Sequence, residues 1–230
     1  METTSWHQLN EKIINCRLCP RLVEWRELVA REKRKMFNDW VYWGKPVPGF
    51  GDINARLVVL GLAPGAHGSN RTGRMFTGDA SGNFLYAALH RRCFANQPFS
   101  VCLGDELELK DVFITSVCRC APPGNQPSTT EVKNCLPYFF DELKLISRFQ
   151  GIVALGQLAF VQVLRLFKDH FGLDWGQNIK FSHGNLIFPG NATNPWILGS
   201  YHPSRQNTQT GRLTQAMFDE IWLKAKNLLS

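Results

Sequence analysis

Residues 56–82 read RLVVLGLAPGAHGSNRTGRMFTGDASG, and this stretch decides the fold. The run Arg56-Leu57-Val58-Val59-Leu60 is aliphatic and β-branched, as a buried strand is. After the glycines, Asn83-Phe84-Leu85-Tyr86-Ala87-Ala88-Leu89 spaces its apolar residues as a helix does. A long polar loop from Gly61 to Gly82 therefore joins a central strand to the next helix. In an open α/β sheet, ligands bind beyond the carboxyl ends of the strands, where such a loop sits. The loop offers donors from His67, Asn70, Arg71 and Arg74, a carboxylate from Asp79 and a stacking face from Phe76. It lacks the spacing and the Lys-Ser/Thr ending of a nucleoside-triphosphate loop.

Working outward, three more strands are expected at 111–117, 151–155 and 195–199, with helices starting near Thr129 and spanning 158–167 and 213–229. Alternating strands and helices indicate a parallel sheet covered on both faces. Residues 168–194 read as irregular with room for a small hairpin, and 38–54 as an aromatic, Gly- and Pro-rich connector without chemistry of its own. The N-terminal part, residues 5–35, reads as helical, interrupted at Cys16-Arg17-Leu18-Cys19-Pro20, and Glu24 to Lys35 as a solvated helix face. Three polar loops, 61–82, 118–127 and 200–212, leave strand ends that can converge on one site. His67, His90, His170 and His183 read as structural histidines, whereas His202 directly follows a buried strand at the mouth of the sheet.

The 230 residues are 44% hydrophobic and 20% charged, which fits one domain with an ordinary core. No apolar run reaches membrane-spanning length, and the N-terminus has no secretory pattern, so a cytoplasmic protein is expected. A net charge of +7 favours a polyanionic partner. Seven cysteines without an export signal point to a reducing compartment and to metal ligation or buried thiols. A Cys-x-x-Cys pair can face one metal centre, and four thiolates serve zinc or an iron–sulfur cluster equally.

Three segments together carry a resemblance: GLAPGAHGSNRTGRMFTGD at 61–79, CRCAPPGN at 118–125 and YHPSRQNTQTGRLT at 201–214. With the N-terminal cysteine pair, they resemble a family 5 (type b) uracil-DNA glycosylase over most of the chain. The resemblance implies an α/β/α sandwich around a four-stranded parallel sheet in a single domain, 1–230, whose helical segment 1–50 supplies two cluster cysteines. It implies a [4Fe–4S] cluster on Cys16, Cys19, Cys120 and Cys135; from the sequence alone Cys118 competes with Cys120, while Cys93 and Cys102 read as ordinary thiols. Expected partners are DNA bearing uracil or other deaminated bases, with no membrane, and the protein is expected to act as a monomer.

The implied chemistry is extrusion of a nucleotide and hydrolysis of its N-glycosidic bond. By resemblance, Asp79 orients water with help from Asn125, and His202 donates to the leaving base. Asp79 also reads as a helix N-cap. Phe76 is implied to stack on the base; Arg71, Arg74, Arg205 and Arg212 to hold phosphates; and the segment with Ser204 and Asn207 to wedge into the duplex. Gly61, Ala63, Gly65 and Ser116 are implied to line the base pocket. Ala63 stands where many relatives carry a polar activating residue, Ser116 where family 4 carries an Asn that reads uracil, and Gly65 where family 1 carries a methyl-excluding Tyr. These departures suggest excision of hypoxanthine and xanthine as well as uracil. Ala63 also keeps open an iron–sulfur DNA-binding protein without glycosylase activity.

Overall fold

The computed structural model describes residues 5–173, 175, 179–189 and 195–230. Four parallel strands form its centre: β2 (Leu57–Gly61), β3 (Val112–Ser116), β4 (Gly151–Leu155) and β6 (Trp196–Ser200). All their residues are buried, as expected of parallel strands covered on both faces. The sheet has six strands where four were expected. Two-residue strands β1 (Phe50–Gly51) and β5 (Leu186–Ile187) pair antiparallel at its edges, giving the order β1-β3-β2-β4-β6-β5. Two residues are too few to show a period in sequence. The expected hairpin region 168–194 lies partly outside the described residues; of the rest, β5 pairs with β6, and Phe171 still belongs to a helix.

Alternation along the strands sends neighbouring side chains to opposite layers. From β2, Leu57 and Val59 pack with Leu85 and Leu89 of α4 (Ala80–Arg91) and with Phe218 and Trp222 of α8 (Gln215–Leu228). Val58 and Leu60 face the other layer, with Phe139 of α5 (Thr129–Leu145) and Phe160 and Val163 of α6 (Gln157–Phe171). That layer also takes Leu9 and Ile13 of α1 (Trp6–Ile14). The result is an α/β/α sandwich. Fully burying one such aliphatic side chain contributes about 1.5–3 kcal/mol.

The N-terminal helical segment is interrupted where expected and forms two helices. After α1, Cys16–Cys19 turns the chain, and Pro20 starts α2 (Pro20–Glu32) at its first position, where a missing N–H costs nothing. Within Glu24 to Lys35, read as a solvated helix face, Arg26 and Val29 are buried, continuing the side of α2 that buries Leu22 and Val23.

Register places the functional loops. Gly61 pairs with Ser116 and Leu155 with Ser200, so the chains leaving β2, β3 and β6 emerge from one edge of the sheet. β2 leads to β3 on one side, and β4 returns on the other side of β2, a topological switch point at which the edge opens into a crevice.

Candidate active site

A cavity of about 700 Å³ lies at that edge, within the range of small-ligand sites. Asp79 from the β2 loop, Asn125 from the β3 loop and His202 from the β6 loop all line it. So do Ala63, Gly65, Phe76, Ser116, Ser204 and Arg205. Three segments far apart in sequence are thus brought to one wall.

Asp79 caps α4: its Oδ1 accepts from the Gly82 N–H at 2.9 Å. The same carboxylate packs against the turn of the glycine-rich loop, where a Cβ at Gly68 would stand 2.2 Å from Asp79 Oδ2. Only glycine allows that approach. Burial raises the Asp79 pKa, while the N–H groups of Gly82 and Ser81 and the charge of Arg71 counter it in part. Capping and a place in the cavity therefore coexist in one carboxylate.

His202 is neutral at physiological pH because burial lowers its pKa to about 4. Among the described residues its ring has no hydrogen-bond partner, and it stands 6.0 Å from the Phe76 ring at 33°. Asn207 does not enter the cavity; its amide donates to the His202 carbonyl at 2.9 Å and so sets that residue's backbone. Ser204 caps the short α7 (Arg205–Gln209) by accepting from the Asn207 N–H. Arg205 is exposed at the cavity rim, while Arg212 lies outside it, 4.8 Å from the Tyr201 ring.

Phe76 and Asn125 both hold positive φ, 52° and 58°. That region is costly for residues with a Cβ and concentrates at functional sites. The Phe76 ring covers Gly61, where a Cβ would come within 2.9 Å of its Cζ. Gly61 itself does not line the cavity, contrary to expectation. The Ser116 hydroxyl donates to the Cys118 carbonyl at 2.6 Å, so toward the cavity its oxygen acts as an acceptor.

Two arginines expected to hold phosphate are turned inward. Arg74 is buried and forms a bidentate pair with Asp105 at 2.7 and 2.6 Å, with further bonds to Ser100 and Thr77. Burial alone would raise the Asp105 pKa, but bonds from Arg74 and from the Val101 and Leu107 N–H groups outweigh it and hold it at about 2. Arg71 is buried too, donating to the carbonyls of His67 and Gly78 and packing 3.9 Å from Phe37 and 4.1 Å from Trp40. Both fasten the loop rather than present charge to a ligand. The Arg74 guanidinium spends its donors on Asp105, Ser100 and Thr77 inside the protein, whereas Arg71 is held by two carbonyls and leaves its buried Nη1 unpaired.

Conversely, the end of the N-terminal segment, to which no role was assigned, supplies Arg34, Met36 and Phe37 to the cavity. His67, read as structural, lines it as well, with its Nδ1 3.1 Å from the Tyr42 hydroxyl; burial lowers its pKa. The basic run Arg31-Glu32-Lys33-Arg34-Lys35 was the one available signal.

A second, small cavity is lined by Cys16, Cys19, Cys120 and Cys135 together, with Arg26, Arg119 and Tyr138. Cys118 does not line it; its thiol is hydrogen-bonded to Cys135, which together with burial raises its pKa. Among the described residues no group of three or more His, Cys, Asp or Glu side chains is arranged to hold a metal ion. Arg26 supplies the sharper test of fit. It is buried, donates to Cys120 Sγ at 2.8 Å and to the Cys16 carbonyl at 3.2 Å, has no carboxylate partner among the described residues, and leaves its Nε unpaired. A buried cation needs an opposite charge nearby. A centre of net negative charge held by these thiolates would supply it. The Arg119 N–H to Cys135 Sγ contact at 3.2 Å and that from Asn134 to Cys19 Sγ at 3.6 Å complete a donor shell around the sulfurs.

The chain matches the family model of the uracil DNA glycosylase superfamily over residues 48–226 and belongs to that family. Within it, the chain is 50% identical over 224 residues to the type-5 uracil-DNA glycosylase of Mycobacterium leprae, covering 96% of this chain and 94% of the relative. It is likewise 50% identical to the type-5 enzyme of Thermus thermophilus, over 93% of each chain. The type-5 enzyme of Pyrobaculum aerophilum is 44% identical over 93% of this chain and 89% of its own.

Proposed function

We propose that the chain is a monofunctional DNA glycosylase that extrudes uracil from DNA and hydrolyses its N-glycosidic bond, leaving an abasic site for base excision repair. The observation that carries this reading is the convergence of Asp79, Asn125 and His202 on one cavity beside Phe76. The type-5 relatives, named for uracil-DNA glycosylase activity, support the substrate.

Extrusion replaces base stacking in the duplex by stacking on Phe76, an exchange in which an aromatic ring contributes about 1–3 kcal/mol. As the bond from C1′ to the base nitrogen breaks, its electron pair leaves with the base, and the sugar becomes an oxocarbenium ion. His202, neutral because it is buried, donates one N–H to the base oxygen where negative charge grows. Asp79, ionised, faces the positive sugar and orients a water toward C1′. Asn125 offers an amide, unpaired among the described residues, to the same water. The water forms the new C1′–O bond and its proton passes to the carboxylate, while the base anion takes a proton from solvent. Ala63 contributes only a methyl group, so the load falls on Asp79.

Breadth of substrate follows from the same wall. No side-chain amide stands at Ser116, Gly65 leaves space, and the cavity volume suits purines as well as pyrimidines. Hypoxanthine and xanthine are therefore expected substrates. Cys16, Cys19, Cys120 and Cys135 would hold a [4Fe–4S] cluster, which when bound cross-links the turn after α1 to the β3 loop and α5.

The test is incubation of the protein with labelled duplexes carrying one uracil, hypoxanthine or xanthine, followed by hot alkali. Alkali-dependent scission at the modified position supports the reading. Intact strands for all three bases, with DNA still bound, would instead favour a binding protein.

A further inference from the structure

Residues 33–44 form a strap built onto the cavity rim, and its fastening leaves three side chains free. At Lys33 the chain leaves α2 with φ of 50°, and Lys35–Phe37 make one 3₁₀ turn. Phe37 and Trp40 pack on the buried Arg71 guanidinium, Tyr42 meets His67, and the Trp43 and Gly44 N–H groups donate to the Arg71 and Asn70 carbonyls at 2.9 and 3.0 Å. Every one of these partners belongs to the glycine-rich loop. The strap is thus held by the same loop that carries Asp79.

Arg34, Lys35 and Met36 point away from this fastening. Arg34 and Lys35 are exposed, and their side chains have no ion-pair or hydrogen-bond partner among the described residues. Met36 is 75% exposed, although methionine is normally a buried residue. Arg34 and Met36 both line the catalytic cavity, as does exposed Arg205 from α7. Unpaired cations and an uncovered apolar side chain on the rim suit a ligand that is anionic along its backbone and apolar on its sugars and bases. DNA with one nucleotide extruded into the cavity has that chemistry.

We propose that the strap grips the DNA at the cavity mouth, Arg34 and Lys35 contacting phosphates beside the extruded nucleotide and Met36 packing on that nucleotide. The proposal takes its ligand from the glycosylase reading and adds an interaction surface outside the three catalytic loops.

The test uses full-length protein in an Asp79→Asn background, so that a uracil duplex persists while its binding is measured against salt. Removing one cation that neutralises a phosphate lowers the slope of log affinity against log salt by about 0.9. Arg34→Ala is expected to lower that slope by about this amount and to weaken uracil and uracil-free duplexes alike, several-fold at moderate salt. Arg34→Lys is expected to restore most of the slope. Met36→Ala is expected to leave the slope unchanged and to reduce the preference for the uracil duplex by about fivefold, since its packing needs the extruded nucleotide. Lys168→Ala, removing an exposed cation on α6, provides the reference for a change in net charge alone. A slope in Arg34→Ala equal to that of Lys168→Ala would overturn the grip. Base excision by the wild type with an unchanged slope in Arg34→Ala would defeat this proposal alone. A reduced slope in Arg34→Ala in a chain that excises no base would uphold the grip and defeat the glycosylase reading.

Discussion

The two cavities of this molecule are built in opposite ways. The cavity at the strand ends, proposed as catalytic, is wide and leaves side chains short of partners: the His202 ring and the Asn125 amide make no hydrogen bond among the described residues. The cysteine cavity is small, and its sulfurs already receive hydrogen bonds from Arg26, Arg119 and Asn134. What sets it apart is charge, because Arg26 is buried there without a carboxylate among the described residues. Under the proposed reading, the substrate site withholds hydrogen bonds that a transient ligand would make, whereas the site for a resident group forms them in advance and calls for countercharge.

The comparison breaks most visibly at the cysteines. Replacing Cys120 by Ser is expected to lower the iron content of purified protein by more than about tenfold, because removing a ligand costs at least as much as removing an outer-shell partner. Cys118→Ser is expected to retain iron and its visible absorbance, since Cys118 lies outside the cavity. Equal depletion in both variants would mean that the cavity lining does not report the ligands.

A smaller effect concerns what holds the catalytic loop. Asp105→Asn leaves Arg74 buried and half-paired, and is expected to cost about 3 kcal/mol, a fall of about 10 °C in melting temperature. The folded Asp105 pKa lies below its ordinary value, so its contribution is complete above that ordinary value and is lost as pH falls toward about 2. The variant's stability deficit, measured by denaturant melts, should therefore shrink in acid. A deficit constant down to pH about 2 would contradict the pairing.

Least dramatic is the shape of the pH–rate profile. In the proposed mechanism Asp79 works ionised, and burial raises its pKa, so the rate should fall as pH drops through that raised value. His202, neutral above about 4, should add no inflection near the ordinary histidine value. Single-turnover rates across pH would show one acid limb; a second limb near pH ~6.5 would mean that His202 acts as an imidazolium.

The sequence revealed much of this where a short-range signal existed. Four buried strands announce themselves by continuous aliphatic runs, and Asp79, Asn125 and His202 by standing in the loops just past three of them. Edge strands of two residues carry no period. Arg71 and Arg74 read as phosphate-holding donors because partners that turn them inward lie far off in sequence: Phe37 and Trp40 upstream, Asp105 downstream. The strap at 33–44 showed only the basic run at 31–35, since its place at the cavity comes from contacts with the loop and not from its own pattern.

The central claim is that Asp79 does chemistry as well as capping α4. Asp79→Asn retains an oxygen able to accept from the Gly82 N–H and so preserves the cap, but carries no charge. Measured in single turnover on a uracil duplex, with binding followed in parallel, it is expected to excise about 100- to 1000-fold more slowly while binding stays near that of the wild type. Excision within a few-fold of wild type would show Asp79 to be a cap alone and would contradict the account.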